Sequence, residues 1–380
     1  MAKAAPKVVI VHDWLTAYGG AERVVLALTD AFPGAPVYTS VYEPEPELKK
    51  ALKNITVRTS VLQSFPSWLR RFHKWFPVLR VWAFRKLDLS EYDIIISSSS
   101  AEAKQVRKTR PDQLHVCYTH TPIRYYWSHY DEYKRRPGFG KLNWFVRILI
   151  PIFMPGQRRA DYAAAQNVDL FIANSSAVQE RIQAYYKKPS TVIHPPVDVK
   201  RFQPARTRDD YFVAIGRQMP YKRIDLAVAA ATKLGVRLNV YGNGSQHDHL
   251  VAIAGPTVKF FTDRSGNASD QAVAEALNHA QGLIFPSNDE DFGITQVEAL
   301  AAGAPVIAFA SGGALDIVDD NVSGILYTAQ TVDAVAEAIK KVQQKTFLPG
   351  TLQRKAKRFE ASLFTTKMRK VVSDAWQKRA

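Results

Sequence analysis

The chain has 380 residues, 46% hydrophobic and 23% charged, which is typical of a globular protein with room for two domain cores. Its single cysteine, Cys117, excludes a disulfide framework, and no apolar run reaches the roughly 18 to 20 residues of a membrane span. We therefore expect a cytoplasmic protein without a signal peptide, whose net charge of +16 favours phosphate-bearing partners.

Short apolar runs alternate with helical periodicity along the whole chain, which predicts βαβ units, parallel sheets and an α/β fold. The pattern restarts near residue 210, after a proline-rich stretch from His194 to Pro204. It predicts a first domain over residues 1–199, a hinge, a second domain over 200–361, and a last helix within 362–380 that packs back on the first domain. The predicted strands are Val8–His12, Val37–Ser40, Asp93–Ser97, Leu114–Tyr118, Leu170–Ala173 and Thr191–His194, then Tyr211–Ile215, Arg237–Tyr241, Val258–Phe261, Leu283–Phe285, Val306–Ala308 and Ile325–Tyr327.

The first predicted strand leads into Gly19 and Gly20 at the start of a helix. Paired glycines there let the backbone approach a ligand and aim N–H groups at it, although a turn glycine followed by a packing glycine is the alternative. Further along, His120 follows the fourth predicted strand in the motif His-Thr-Pro-Ile-Arg-Tyr. A histidine in this position can point into a cleft or can be a buried structural residue.

Two stretches of the first domain are basic and rich in aromatic residues. Residues 61–87 contain six basic residues and residues 134–159 contain seven, and neither contains an acidic residue. In the first stretch Trp68, Trp75 and Trp82 recur every seven residues, although prolines interrupt any single helix. Such segments are typical of a surface that contacts an anionic membrane, unless their apolar faces pack on the sheet. No nucleic-acid module accompanies them, so we expect no specific nucleic-acid binding.

In the second domain, the predicted strand Tyr211–Ile215 ends in Gly216 and is followed by Arg217 and Lys222 at the start of a helix. Two cations beside a helix N-terminus suit a diphosphate, and arginine can bind it in bidentate fashion. The alternative is a solvated helix end with chance charges. No cluster of His, Cys, Asp and Glu has the spacing of a zinc site, and no P-loop occurs.

The most informative segment runs from Asn288 to Glu298, between the predicted strand Leu283–Phe285 and an Ala-rich helix. Glu290 lies in the loop and Glu298 on the second turn of the helix. Ligands of open α/β sheets bind at the carboxyl ends of strands. Two carboxylates and a helix N-terminus at that place suit a ligand that is both polyhydroxylated and anionic, such as a sugar nucleotide.

Together, these motifs resemble family 4 of the retaining glycosyltransferases, which have the GT-B fold of two facing Rossmann-like domains. The resemblance covers nearly the whole chain, and the His120 motif is similar to that of the bacterial mannosyltransferase branch. The motifs that carry it are Gly19-Gly20-Ala21-Glu22, Ala173-Asn174-Ser175-Ser176, Val192 to Asp198, Gly216-Arg217 with Lys222 to Asp225, Tyr241 to Gly244, the E-x7-E pattern from Glu290 to Glu298, Gly303 to Ala308, and Gly312-Gly313.

The resemblance implies a role for each candidate residue. Arg217 and Lys222 would hold the diphosphate, Glu298 the ribose hydroxyls, and Glu290 the sugar hydroxyls. His120 would contact the donor sugar and support the transition state. The remaining donor-binding residues would be Gly19 and Gly20 at the phosphates, Asp263 and Arg264 at the base, and the amides of Phe292, Gly293 and Ile294 at the sugar.

The expected reaction is transfer of a hexose, mannose from GDP-mannose in the first instance, to a glycan or lipid-linked acceptor in polysaccharide biosynthesis. It would proceed by same-face substitution without metal or cofactor, on the inner face of the cell membrane. A UDP-sugar donor, a sugar-nucleotide epimerase or hydrolase on the same fold, and a catalytically idle binding protein are the alternatives.

Overall fold

The apolar runs of the sequence form parallel strands in a computed structural model that describes residues 5–70, 72, 76–135, 140, 143–261 and 269–379. The chain divides into two units, residues 1–194 with 364–380 and residues 195–363. The second unit therefore begins at Pro195, whereas the sequence pattern predicted that it begins at residue 200. Each unit contains one sheet with helices connecting its strands, so the predicted α/β fold is confirmed.

The first unit contains a seven-stranded parallel sheet in the order β3-β2-β1-β4-β5-β6-β7. Its central strands are buried along their whole length, as expected for a sheet with both faces covered. The strands are β1 (Val8–His12), β2 (Val37–Thr39), β3 (Val57–Thr59), β4 (Ile94–Ser99), β5 (Leu114–Thr119), β6 (Leu170–Ala173) and β7 (Ser190–Val192). The helices are α1 (Gly20–Ala31), α2 (Pro46–Ala51), α3 (Ser67–Arg70), α4 (Pro77–Arg85), α5 (Tyr130–Arg135), α6 (Asn143–Gln166) and α7 (Ser176–Tyr186).

The second unit contains a six-stranded parallel sheet in the order β10-β9-β8-β11-β12-β13. Its strands are β8 (Phe212–Ile215), β9 (Leu238–Tyr241), β10 (Val258–Phe260), β11 (Gly282–Phe285), β12 (Val306–Phe309) and β13 (Gly324–Tyr327). Its helices are α8 (Ile224–Leu234), α9 (His247–Ile253), α10 (Asp270–His279), α11 (Ile294–Ala301), α12 (Ala314–Ile317), α13 (Val332–Gln344) and α14 (Pro349–Ala356). Separate apolar clusters cover the two faces of this sheet.

The last helix, α15 (Ala361–Gln377), packs on the core of the first unit. Phe364, Met368 and Val372 are buried there, and the ring of Phe364 meets that of Tyr118 edge to face at 5.6 Å. These three residues are spaced by four, so they form one helical stripe. The apolar periodicity at the end of the sequence thus corresponds to a helix that completes the first core.

Two features differ from the sequence pattern. Strand β3 has no predicted counterpart, because its three residues are only partly buried or exposed and include Arg58, so no apolar run marks it. The described residues of the basic stretch 61–87 include two α-helices: Trp68 lies on α3 and Trp82 on α4, which begins at Pro77. Trp75 lies outside the described residues.

Candidate active site

In each sheet the strand order reverses once, between β1 and β4 in the first unit and between β8 and β11 in the second. Loops that leave neighbouring strands at such a point turn to opposite faces of the sheet, and the crevice between them is the usual ligand site of α/β proteins. Gly19 follows β1, Arg217 and Lys222 follow β8, and Glu290 follows β11. The predicted residues therefore lie at the two switch points, with His120 after the adjacent strand β5.

The loop after β8, which carries Arg217, is fixed by close backbone packing. Gly242 in the loop after β9 has φ +116°, and a Cβ atom there would lie 2.1 Å from the carbonyl oxygen of Gly216. The fully buried Gln218 donates from Nε2 to the carbonyl of Gly242 at 2.6 Å. The guanidinium of Arg217 is exposed and donates to the hydroxyl of Tyr221 at 3.4 Å. A rigid backbone therefore presents a solvent-facing cation.

Lys222 and Glu290, which come from the two loops at the switch point of the second sheet, form a close ion pair. The Lys222 Nζ lies 2.5 Å from Glu290 Oε2, and the side chains are 15% and 14% exposed. The Ser287 hydroxyl donates to the same oxygen at 2.8 Å. The backbone N–H of Asn288 also donates to the carbonyl of Tyr221 at 2.9 Å. The structure thus brings together two of the predicted catalytic residues, 68 positions apart in sequence.

Backbone contacts with the loop after β12 fix the loop that carries Glu290. A Cβ atom on Gly312, which has φ +58°, would lie 2.2 Å from the carbonyl oxygen of Glu290. The next residue, Gly313, donates its N–H to that same oxygen at 3.0 Å. The Gly312-Gly313 pair of the sequence motif therefore allows the loops after β11 and β12 to touch through their main chains.

Glu298 on α11 has a partner that the sequence analysis missed. Its Oε1 accepts from Arg201 Nη2 at 2.7 Å, and Arg201 Nη1 donates to Asp270 at 2.7 Å. Arg201 lies within the proline-rich stretch and belongs to no recognised motif, so only the tertiary structure identifies it. Of the neighbouring predicted residues, Ile294 begins α11, Gly293 is its N-cap and Phe292 precedes it. The Phe292 side chain is buried against Phe359, so a role in binding falls to its backbone.

In the first unit, His120 and Gly19 are the two ends of one chain of polar contacts. His120 Nε2 lies 2.8 Å from the Ser98 hydroxyl, which lies 3.2 Å from His12 Nδ1. His12 Nε2 lies 3.7 Å from Glu22 Oε1, and Glu22 Oε2 accepts from the Gly19 N–H at 3.0 Å. His12, Ser98 and His120 are all buried. Ser98 was not a sequence candidate, because serines at strand ends are common.

The polar contacts between His12 and Glu22 shift the pKa values of both residues. Burial by itself lowers the pKa of His12, but the hydrogen bond and negative charge of Glu22 raise that pKa above its ordinary value. Burial likewise raises the pKa of Glu22, but the interaction with His12 and the Gly19 N–H lowers it overall. Both shifts favour a charged His12–Glu22 pair.

Asp13, directly after β1, fixes the loop that follows β4. Its side chain is 1% exposed and accepts from the N–H groups of Ser100, Ala101 and Ala103 at 2.7 to 2.9 Å. The Ser100 hydroxyl donates to it at 3.0 Å. Asp13 therefore has a structural role at the switch point of the first sheet.

Two predicted residues, Asp263 and Arg264, lie outside the described residues. Among the residues that are described, no group of three His, Cys, Asp or Glu side chains is arranged to hold a metal ion.

Two family descriptions match the chain side by side. "Glycosyltransferase Family 4" covers residues 18–201 and "Glycosyl transferases group 1" covers residues 197–359. Gly19, His120 and the whole switch point of the second sheet lie within the matched ranges. The chain belongs to family 4 of the glycosyltransferases.

Curated relatives match part of this glycosyltransferase. The D-inositol 3-phosphate glycosyltransferase of Mycobacterium tuberculosis (strain ATCC 25618 / H37Rv) is 35% identical over 170 residues, which is 39% of this chain and 35% of the relative. The protein of the same name from Mycobacterium bovis (strain BCG / Pasteur 1173P2) gives the same values. The alignment thus spans about a third of the length of these relatives.

Solved structures match nearly the whole chain and show the fold. HepE from Anabaena, in complex with UDP and glucose, superposes with a TM-score of 0.69 at 17% identity, covering 97% of this chain and 100% of the other. Sucrose-phosphate synthase from Thermosynechococcus elongatus superposes with a TM-score of 0.68 at 18% identity, covering 98% and 100%. The GT-B fold that the motifs implied is confirmed.

Proposed function

We propose that this family 4 glycosyltransferase transfers mannose from GDP-mannose, with retention of configuration, to a glycan or lipid-linked acceptor. The proposal depends above all on the pairing of Lys222 with Glu290 beside the exposed Arg217 at the switch point of the second sheet. This arrangement offers cations for a diphosphate and a carboxylate for sugar hydroxyls at one place. The preference for a mannosyl donor rests on the resemblance of the motif from His120 to Tyr125.

The contacts of Glu290 favour same-face substitution over a covalent intermediate. A double displacement requires a carboxylate nucleophile with an accessible lone pair. Glu290 Oε2 already accepts from Lys222 and Ser287, and Glu298 Oε1 accepts from Arg201. Hydrogen-bonded carboxylates of this kind suit binding, so we propose that the leaving phosphate accepts the acceptor's proton on the same face.

In this mechanism Lys222 and Arg217 stabilise the negative charge that develops on the departing diphosphate. Lys222 has three N–H donors, and Glu290 takes one of them. Preorganised donors directed at developing charge are commonly the largest catalytic contribution. Lys222→Ala is expected to lower kcat by about 100- to 1000-fold, the usual loss for one such donor. Near-normal turnover of the variant in a nucleotide-release assay would contradict the mechanism.

The donor is tested by saturation-transfer NMR and nucleoside-diphosphate release with GDP-mannose, UDP-glucose, UDP-galactose and UDP-N-acetylglucosamine. We expect binding of GDP-mannose by the wild type and its loss in Glu298→Ala. Glu275→Ala is the matched control, because Glu275 is an exposed glutamate of the same unit. Preference for a UDP-sugar would exclude the mannosyl donor and retain glycosyl transfer. Release without an acceptor-derived product would favour a hydrolase.

We further propose that α4 and α6 contact an anionic membrane. On α6, Trp144, Ile148 and Ile152 are 64%, 57% and 66% exposed, and they are spaced by four residues. On α4, Val78 and Trp82 are also exposed. Large apolar side chains on one helical face, with arginines beside them, suit the interface of an anionic bilayer. None of the described helices combines the length and apolarity needed to cross a bilayer.

Buried ion pairs attach both helices to the segment that follows β4. Arg80 on α4 donates to both carboxylate oxygens of Glu102 at 2.7 and 2.9 Å. Lys104 lies 2.6 Å from Asp161 on α6. All four side chains are at most 2% exposed. Arg80 is therefore a structural cation and does not contribute to the basic surface of residues 61–87.

Vesicle co-sedimentation tests the membrane proposal. The wild type is expected to bind vesicles of phosphatidylcholine with phosphatidylglycerol more strongly than vesicles of phosphatidylcholine alone. Ile152→Glu should weaken that binding, because it places a charge on the apolar face. Leu348→Glu is the control, since Leu348 in the second unit is 65% exposed against 66% for Ile152. Equal binding by both variants would contradict the assignment of α6.

A further inference from the structure

The series of polar contacts from His120 to Gly19 determines which of its side-chain atoms carry protons. His12 Nδ1 is 3.1 Å from the carbonyl oxygen of Ser98 and 3.2 Å from its hydroxyl. A carbonyl oxygen only accepts hydrogen bonds, so His12 Nδ1 carries a proton and donates it. His12 Nε2 faces the carboxylate of Glu22 at 3.7 Å, which favours a second proton on the ring.

The Ser98 hydroxyl has two hydrogen-bonding neighbours in the described part of the chain, namely His12 Nδ1 and His120 Nε2. His12 Nδ1 already carries a proton and cannot accept one. The hydroxyl proton of Ser98 is therefore directed at His120 Nε2, 2.8 Å away. An Nε2 atom that accepts is unprotonated, so the neutral His120 ring carries its proton on Nδ1.

We propose that His12, Ser98 and Glu22 are positioning residues that hold His120 in the tautomer with its proton on Nδ1. Glu22 keeps His12 protonated, His12 orients the Ser98 hydroxyl, and Ser98 sets the tautomer of His120. This proposal rests on the proposed function, in which His120 contacts the donor sugar. It adds that the ring acts there as a hydrogen-bond donor through Nδ1.

The same chain links His120 to the glycine loop. Glu22 Oε2 accepts from the Gly19 N–H at 3.0 Å, and a Cβ atom on Gly19 would lie 3.0 Å from that oxygen. The carboxylate that stabilises protonated His12 thus also fixes the backbone of the loop. One carboxylate therefore contacts the Gly19 loop directly and the His120 motif through His12 and Ser98.

The adjacent residue of β4 provides a matched control. The Ser97 hydroxyl lies 2.8 Å from Nε2 of His115, which is the same type of contact. Successive residues of a strand point to opposite faces, so Ser97 and Ser98 serve different histidines. His115 is 1% exposed and is not a candidate site residue.

The test is 15N NMR of full-length protein labelled at histidine, with the His120 signals assigned by their absence in His120→Gln. In the wild type we expect a protonated, pyrrole-type Nδ1 and an unprotonated, pyridine-type Nε2. Ser98→Ala should mix the two tautomers of His120, and Ser98→Thr, which keeps the hydroxyl, should restore one. Ser97→Ala should change the signals of His115 and leave those of His120 unaltered.

Kinetics give an independent measurement. Ser98→Ala is expected to lower kcat/KM by about 3- to 10-fold, the effect of one neutral hydrogen bond, while Ser97→Ala has little effect. A wild-type His120 protonated on Nε2, or a tautomer unchanged in Ser98→Ala, would overturn the proposal. The NMR experiment does not depend on turnover. The donor assays test the proposed function, and the NMR signals of His120 test the tautomer, so the failure of one is distinguishable from the failure of the other.

Discussion

The two units contain the same kind of parallel sheet, but they fix the residues at their switch points by different means. In the second unit, main chains touch: Gly242 meets Gly216, and Gly312 meets Glu290. In the first unit, buried polar side chains connect the elements, with Asp13 as an example that accepts four hydrogen bonds.

This difference has a physical consequence. A contact between two main chains depends on volume, since any side chain at the glycine collides with a carbonyl group. A buried ion pair or histidine contact depends on charge, because an unpaired charge or polar group is costly in a low-dielectric interior. The second unit should therefore be sensitive to added atoms, and the first to removed charges and to pH.

The largest expected effect comes from breaking a buried ion pair of the first unit. Glu102→Ala leaves the Arg80 guanidinium buried without its carboxylate, and we expect a loss of about 3–5 kcal/mol in unfolding free energy. Glu91→Ala is the control, because its pair with Arg58 is about half exposed and should contribute little to stability. Urea unfolding of both variants measures the difference. Similar losses would show that the buried pair does not stabilise α4.

In the second unit, Gly242→Ala tests the contact between main chains. The new Cβ atom would meet the Gly216 carbonyl, and φ +116° is unfavourable for alanine, so we expect a loss of about 3 kcal/mol and weaker donor binding. Gly235→Ala, at φ +67° with open space around it, should cost only about 1–2 kcal/mol and leave donor binding unchanged. Equal donor affinity in the two variants would contradict a positioning role for this contact.

The smallest effect concerns pH in the first unit. Burial lowers the pKa of His115 to about 4, against 6.5 for an unperturbed histidine. The folded state therefore binds this proton less readily than the unfolded state, and stability is lost as the pH falls from about 6.5 toward 4. We expect His115 to account for about 2 kcal/mol of the loss between pH 7 and pH 4.5. His115→Gln should flatten the pH dependence of urea unfolding over this range, and an unchanged slope would disprove the assignment.

The sequence predicted twelve of the thirteen strands in the described part of the chain in approximate position, because most of these strands are buried and therefore apolar. It missed β3, a short strand of partly buried and exposed residues. It also predicted Arg217, Lys222 and Glu290 at strand ends from local motifs. Arg201 and Ser98 could not be predicted, since each acts through a partner far away in the chain.

The sequence by itself determined the α/β architecture, the family, and the positions of the candidate residues relative to the strands. These features depend on local periodicity and on motifs within a few residues of one another. Only the tertiary structure decided which residues form pairs: Lys222 with Glu290, Glu298 with Arg201, and His120 with Ser98. The physical reason is that hydrogen bonds and ion pairs act over about 3 Å in space, and sequence spacing does not encode such distances across separate strands.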